Sequence, residues 1–377
     1  MSFRRFIGTY TCNNRVFSNR HLQTLTTVKK ASKVTVTTDP YHPEATDVID
    51  VRTPDEFKLD HIPNAINLPV LNNSQRDEVG KLYSTDRFTA RKIGAKLVVS
   101  NICDILDAHV SDKDKDYKPL VYCWRGGQRS RSLATILSEI GFGVFLLEGG
   151  YKTYRNRVTE DLKILPDKFT YRVITGLTGS GKTHILCKLA ENGQQVLDLE
   201  GLAKHKGSML GRYPNEEQPS QKYFTSLLVE KLMSFDPSKT VYMESESRRI
   251  GKCSIPEGLF SKLCHAPRIC VHLPMKERVK HIIRDYPYMI EDVETLHNIL
   301  EYLKRYCGTK NVEKWKTLVD QQYWEEFVEC LLLHHYDPTY TKSQTKNQLT
   351  EDVIDIELCN LSEQSLQSLV DNIITVK

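Results

Sequence analysis

The segment Tyr171-Arg172-Val173-Ile174-Thr175-Gly176-Leu177-Thr178-Gly179-Ser180-Gly181-Lys182-Thr183 restricts the fold of this chain more than any other. Its β-favouring start reads as a buried strand, three glycines then let the backbone turn tightly, and Ile185, Leu186 and Leu189 follow at helical spacing. Strand, glycine loop and helix in that order demand a parallel α/β sheet with the loop at the carboxyl end of its strand. Gly176, Gly179, Ser180 and Gly181 allow successive N–H groups to wrap a phosphate. Lys182 adds a point charge, and the Thr183 hydroxyl can hold Mg²⁺. A phosphorylated ligand is expected, and the loop does not specify which.

A second anion-binding loop lies upstream, in Val121-Tyr122-Cys123-Trp124-Arg125-Gly126-Gly127-Gln128-Arg129-Ser130. Leu120 to Tyr122 reads as a buried strand ending at Cys123. Leu133, Ile136, Leu137 and Ile140 mark the helix beyond, with Ser130 available as its N-cap. Backbone N–H groups, a helix N-terminus, Arg125 and Arg129 would draw negative charge to the sulfur and hold an anion arriving there. The other meaning of a strand-end cysteine is a small core residue beside a solvated arginine cluster.

Between and around these loops the text continues to alternate. Asp47 to Arg52 reads as a strand, Thr53 and Pro54 as N-cap and first position of a helix, His61 to Pro69 as a turn and strand, Arg76 to Ile105 as helices, and Val144 to Leu147 as another strand. Asp161 to Lys168 reads as a polar linker. After the glycine loop, Asp198 and Glu244 stand at strand ends and could serve as Mg²⁺-side carboxylates or merely cap the helices that follow. The cations behind them, Lys204, His205 and Arg212 after the first and Arg248 and Arg249 after the second, are candidates for a polyanion surface, although solvated charge is the usual meaning of such runs. Val293 to Tyr306, Trp324 to His334 and, more weakly, Leu361 to Val376 show helical spacing. Domain bounds are therefore expected at 1–38, 40–158, 159–169 as linker, 170–275, and 276–377 as a mostly helical region.

Charge and cysteine usage narrow the classes. Residues 1–38 carry seven Lys or Arg and no acid, the pattern of a mitochondrial transit peptide; without this segment the formal charge falls from +4 to −3. The remainder is thus not globally basic, and nucleic acid would have to be held by local patches. The ten cysteines form no CxxC pair, and none pairs with His at metal-ligand spacing. That argues for a reducing compartment and against structural zinc, and His334-His335 lacks a third ligand. No apolar run reaches the length of a membrane span.

The Asp50-Val51-Arg52 strand, the His61-Ile62-Pro63-Asn64-Ala65 turn, the Cys123 loop and Leu147-Glu148-Gly149-Gly150 together resemble a rhodanese domain over about residues 40–158. With Gly176 to Thr183, Asp198-Leu199-Glu200-Gly201-Leu202-Ala203, Glu246-Ser247-Arg248-Arg249-Ile250-Gly251 and Tyr336-Asp337-Pro338-Thr339-Tyr340, the chain is similar to the tRNA 2-selenouridine synthases. The resemblance implies a rhodanese-like parallel-sheet domain followed by a P-loop α/β domain. It also implies a two-step replacement on the wobble uridine of tRNA, in which geranyl diphosphate alkylates the 2-thio sulfur and selenium from selenophosphate then displaces the alkylthio group. Cys123 would carry the chalcogen, the loop Trp124 to Ser130 would hold selenophosphate, and an enzyme making selenophosphate would be a partner. The alternative is a geranyltransferase or rhodanese-type sulfurtransferase without selenium incorporation. Asp60 and Asn64 stand where the family usually has Gly, and both are expected to occupy turns.

Overall fold

The computed structural model describes residues 34–375 apart from 215 and 348. The expected transit peptide therefore lies almost wholly outside the described residues. Its carboxyl end does not: β1 (Val34–Thr37) is an edge strand, paired parallel with residues 144–147, so the folded body begins earlier than residue 40. Beyond β1 come β2 (Asp47–Asp50), α1 (Pro54–Leu59), β3 (Ile66–Asn67), α2 (Asn73–Thr85), α3 (Arg87–Ile105), β4 (Pro119–Tyr122), α4 (Gln128–Ile140), β5 (Val144–Leu147) and α5 (Tyr151–Ile164). The five strands form a parallel sheet in the order β1-β5-β4-β2-β3. Every residue of β4 and β5 is buried, which explains their unbroken apolar text. Thr53 caps α1 as its sequence predicts, in a reciprocal capping box with Glu56.

The second sheet begins with β6 (Tyr171–Thr175) and α6 (Lys182–Glu191), at the residues expected from the glycine-loop pattern. It continues through β7 (Gln195–Leu197), α7 (Leu199–Ala203), α8 (Gln221–Met233), β8 (Val241–Glu244), the small antiparallel pair β9 (Arg249–Ile250) and β10 (Cys253–Ser254), α9 (Glu257–His265) and β11 (Arg268–His272). Helices α10 (Met275–Asp285), α11 (Pro287–Glu291), α12 (Val293–Cys307), α13 (Thr309–Asp320), α14 (Trp324–Leu331) and α15 (Asp337–Asn347) follow. The region from 276 is not helical to its end, however. β12 (Val353–Glu357) adds a parallel strand to β11, and α16 (Glu363–Thr375) buries Leu366, Leu369, Val370 and Ile373 in one cluster with Ile185, Leu186 and Leu189 of α6. The parallel order is β12-β11-β6-β8-β7, so β6 is central and its loop opens at the middle of the sheet edge.

The expected polar linker is not a linker. Residues up to Ile164 continue α5, a 3₁₀ turn spans Leu165–Lys168, and Leu165, Pro166 and Phe169 are buried. One apolar cluster joins Leu120, Tyr122 and Tyr154 of the first sheet domain to Tyr171, Phe224, Leu228 and Leu259 of the second. Asp60 fastens the same contact. It is 1 % exposed and accepts from Tyr151 Oη at 2.7 Å, from Ser226 Oγ at 2.8 Å and from Arg155 Nη1 at 3.3 Å, while Arg155 also donates to Thr225 Oγ1 at 2.8 Å. Asp60 is therefore a buried interdomain carboxylate in extended backbone, not the turn residue its place suggested. Asn64 does take the left-handed conformation, at φ 64°.

Candidate functional site

The Cys123 loop is built by backbone that only glycine can supply. Gly126 and Gly150 both have positive φ. A Cβ on Gly150 would lie 2.1 Å from the Cys123 carbonyl oxygen, and one on Gly126 would lie 2.9 Å from that of Leu147. This close approach lets Tyr151 N–H donate to Cys123 O at 2.8 Å and Lys152 N–H to Trp124 O at 3.2 Å, locking the loop to the start of α5. Cys123 itself is 3 % exposed. Its sulfur accepts from Gly127 N–H at 3.3 Å and from Ser130 Oγ at 3.2 Å. Ser130 is thus not the N-cap of α4. The helix begins two residues earlier, Gly127 occupies the cap without a side-chain acceptor, and the Ser130 hydroxyl is turned to the sulfur. Donors converge on a sulfur at an uncapped helix start, an arrangement suited to negative charge on that atom or on a group bound to it.

The remaining loop side chains divide. Trp124 stacks on Tyr151 with centroids 5.1 Å apart and forms a wall. Arg129, expected to hold an incoming anion, is already engaged: Nη1 meets Glu56 Oε2 at 2.7 Å, and the pair is largely buried. Burial alone would raise the Glu56 carboxyl, but Arg129 and the Thr53 N–H hold it below its ordinary value. Arg125 and Gln128 remain exposed, and among the described residues Arg125 has no acidic partner. Beneath the loop Arg52 forms a buried pair with Asp50 at 2.6 Å, donates to Asp60 O at 2.6 Å and lies 4.1 Å from the centre of the Tyr151 ring. Asp50 and Arg52 therefore support the loop from below.

At the second loop, Gly176, Gly179 and Gly181 all have positive φ. A Cβ on Gly176 would meet Val271 O at 2.6 Å, and α6 starts at Lys182 with no side-chain cap, an arrangement that leaves its first N–H groups available to a phosphate. Ser180 is buried with its hydroxyl unpartnered, while Thr183 is exposed at the first turn. Lys182 Nζ donates to Gly176 O at 3.1 Å and lies 5.3 Å from the Tyr340 ring centre. Burial would lower the Lys182 ammonium, but Tyr340, Glu246, Glu200 and Glu244 offset it and leave the group above its ordinary value. The carboxyl-terminal region clamps this loop. Tyr340 Oη bonds Thr175 Oγ1 at 2.8 Å and accepts from Gly176 N–H at 3.2 Å. Arg278, 3 % exposed, donates to Thr178 O at 2.8 Å and pairs with Asp337 at 3.0 Å. The Tyr336 to Tyr340 phrase is thus a brace for the glycine loop.

Asp198 and Glu244 both line the same cavity, of about 930 Å³, but differ in role. Asp198 caps α7, accepting from Gly201 N–H at 2.8 Å. Glu244 is buried, with Oε1 on Glu200 N–H at 3.2 Å and Oε2 unpartnered. Sequence reasoning missed its neighbours Glu200 and Glu246, whose carboxylates come within 4.8 Å of that of Glu244 and of each other. The available signal was a second acid two residues after each strand-end acid. Burial, followed by Glu246, pushes the Glu200 carboxyl up to about 9; burial, followed by Glu244, pushes Glu246 up to about 8. Three oxygens so placed fit a hard divalent cation such as Mg²⁺ beside Thr183 and Lys182. Arg268, 1 % exposed, lines the cavity with its Nε unpartnered and is a further cation that the sequence did not single out.

These raised carboxyls carry a linkage sign. Each binds its proton more tightly folded than unfolded, so the acids lower stability as pH rises from the ordinary 4.5 towards the folded value. Thermal melting without divalent cation is expected to fall between about pH 5 and 8, and Glu246→Gln should flatten that decline. A variant with the same slope as the parent would exclude Glu246 as its source.

The candidate polyanion contacts divide by their exposure. His205 is buried, burial pushes its ring towards the neutral form, and its backbone bridges Arg212, so it is not a surface contact. Lys204 pairs with Glu216 at 3.0 Å, Arg248 with Glu257 at 2.6 Å, and Arg249 Nε donates to Gly251 O at 3.1 Å. The two ion pairs and the Arg249 hydrogen bond are exposed and readily exchanged for a phosphate, and Arg212 is exposed. His335 Nδ1 lies 3.2 Å from Cys307 Sγ, and among the described residues the His334-His335 pair belongs to no group of metal-ligating side chains. No helix among the described residues is long and apolar enough to cross a membrane.

Comparison with known proteins gives two family models in sequence order: a rhodanese-like domain matching residues 37–157, and a tRNA 2-selenouridine synthase AAA domain matching residues 169–355. The tRNA 2-selenouridine synthase of Aeromonas salmonicida is 34% identical over 242 residues, 63% of this chain and 64% of its own length. That of Marinobacter nauticus is 29% identical over 334 residues, covering 80% and 89%. That of Nitrosomonas europaea is 35% identical over 246 residues, covering 64% and 63%.

Proposed function

This chain belongs to the tRNA 2-selenouridine synthase family, and we propose that it converts 2-thiouridine at the tRNA wobble position to 2-selenouridine by S-geranylation followed by selenation. The observation that carries the geranyl step is a second cavity beside the glycine loop. It is about 60 Å³, lined almost wholly by apolar side chains including Leu296, Trp324, Phe327 and Leu331, and it shares Thr178, Ser208, Ile282, Tyr286 and Tyr336 with the phosphate cavity. An apolar recess opening beside a phosphate-binding loop favours a ligand with a diphosphate head and a hydrocarbon tail, and at about 60 Å³ it holds only part of such a tail, the rest lying in the larger cavity it adjoins.

In the first step the thiocarbonyl sulfur attacks C1 of geranyl diphosphate. A C–S bond forms, the C–O bond breaks, and diphosphate leaves into the Gly176 to Thr183 loop, where Lys182 and a cation on Glu200, Glu244 and Glu246 would take its charge. Alkylation turns a poor leaving group into a thiol and makes C2 electrophilic. In the second step C2 gains selenium and loses geranylthiol. Selenium in selenophosphate is already at the selenide level, so loading it on Cys123 as a selenyl-sulfide would require a two-electron oxidant. The redox-neutral course has the Cys123 sulfur attack phosphorus: S–P forms as Se–P breaks, selenide is delivered to C2, and water later releases phosphate. Gly127 N–H, Ser130 and Arg125 would hold the selenophosphate oxyanion during this exchange.

Mass analysis of thiouridine RNA incubated with geranyl diphosphate, with and without selenophosphate, tests the sequence of steps. The expectation is geranylated RNA from the first mixture and selenouridine from the second. Geranylated RNA that never gains selenium would leave a geranyltransferase, and an RNA unchanged in both would overturn the two-step reading. Lys182→Ala is expected to weaken geranyl diphosphate binding about tenfold or more with the fold retained, and unchanged affinity by calorimetry would refute the placement of the diphosphate. The acid-free basic segment supports a mitochondrial address. A leader cleaved from a folded product would end before Val34, since β1 is part of the sheet.

A further inference from the structure

A surface that the sequence did not single out carries the chemistry an unpaired RNA base requires. On α12, Tyr302, Arg305 and Tyr306 share one face by their spacing of three and four. Tyr302 is 53 % and Tyr306 63 % exposed, and the fold does not need either, because the buried residues of α12 are Leu296, Leu300 and Leu303. The Arg305 guanidinium carbon lies 3.4 Å from the centre of the Tyr302 ring and 4.9 Å from that of Tyr306. Neighbouring Lys304 pairs with Glu301, whereas Arg305 has no carboxylate partner among the described residues. Tyr306 also lines the mouth of the phosphate cavity, together with His334, His335 and the exposed Lys342.

We propose that Tyr302, Arg305 and Tyr306 form a stacking platform for unpaired nucleotides of the RNA substrate, holding a loop at the mouth of the glycine-loop cavity. The proposal rests on the reading that the substrate is tRNA. Two aromatic faces and a planar guanidinium offer stacking surfaces to splayed bases, and the unpaired positive charge meets the adjoining phosphates. A base-paired duplex presents neither free base face, so the platform discriminates loops from stems. Lys342 at the same mouth extends the positive charge towards the cavity, which places a base held on Tyr306 next to the space where alkylation would occur.

The test uses the full chain with a synthetic RNA hairpin carrying 2-thiouridine in its loop, a blunt RNA duplex of equal length, and inorganic pyrophosphate. Tyr302→Ala and Tyr306→Ala are each expected to weaken hairpin binding roughly 5- to 100-fold, Tyr306→Phe to retain it, and duplex and pyrophosphate affinities to stay at the parent values. Equal loss for hairpin and duplex, or a Tyr302→Ala with Tyr306→Ala variant that binds the hairpin as the parent does, would overturn the platform alone. A parent protein that binds no hairpin would overturn both the platform and the tRNA reading.

Discussion

Cys123→Ser is expected to abolish selenium incorporation, a loss of at least about 10³-fold on the scale of nucleophile deletions, while S-geranylated RNA accumulates. The hydroxyl can accept the same Gly127 N–H and Ser130 contacts that the sulfur accepts, so the loop should persist and stability should stay within about 1 kcal/mol of the parent. The separation of effects is what gives the experiment force. In the proposed sequence the first step uses the glycine loop and the second the cysteine loop, so geranylation should be untouched. Selenouridine formed by the serine variant at the parent rate would eliminate Cys123 from the chemistry. Loss of both steps together would contradict the division of labour between the loops.

The largest stability change is expected at Arg52→Met. Asp50 and Arg52 are 0 % and 1 % exposed and contact each other at 2.6 Å. Removing the guanidinium leaves a buried carboxylate without its counter-charge and strips Asp60 O of its donor, a cost of about 3–5 kcal/mol. The urea midpoint should fall with an unchanged slope, and adding Asp50→Leu should restore much of the loss, because the penalty lies in the unpaired charge rather than in a missing attraction. A single variant as stable as the parent would show that water reaches Asp50.

Local chemistry made much of this fold legible, and non-local chemistry hid the rest. The strand Tyr171–Thr175 and the Thr53 cap were readable because their signals lie within a few residues of the structure they cause. β12 was not: Val353–Glu357 has no fully buried residue, and it becomes a strand only by pairing with β11, more than eighty residues earlier. Ser130 was misread because position relative to the helix suggested a cap, while the determinant was a sulfur seven residues back. Arg129 looked like an anion ligand until Glu56, 73 residues away, claimed it. At the glycine loop the phosphate-binding backbone was plain, but Glu200 and Glu246 gain their meaning only when β7 and β8 lie side by side.

The Asp60 network and the apolar cluster shared by the two sheet domains have a kinetic consequence. Chains with a flexible tether can carry a reactive group from one station to another by swinging a domain. Here the connection is helical and the contact behind it is buried and cross-bonded, which holds the separation between Cys123 and Lys182. In the proposed two-step reaction, any transit between alkylation and chalcogen exchange would then fall to the nucleic acid, and turnover should respond to how fast RNA is gripped, shifted and released rather than to the stiffness of a hinge.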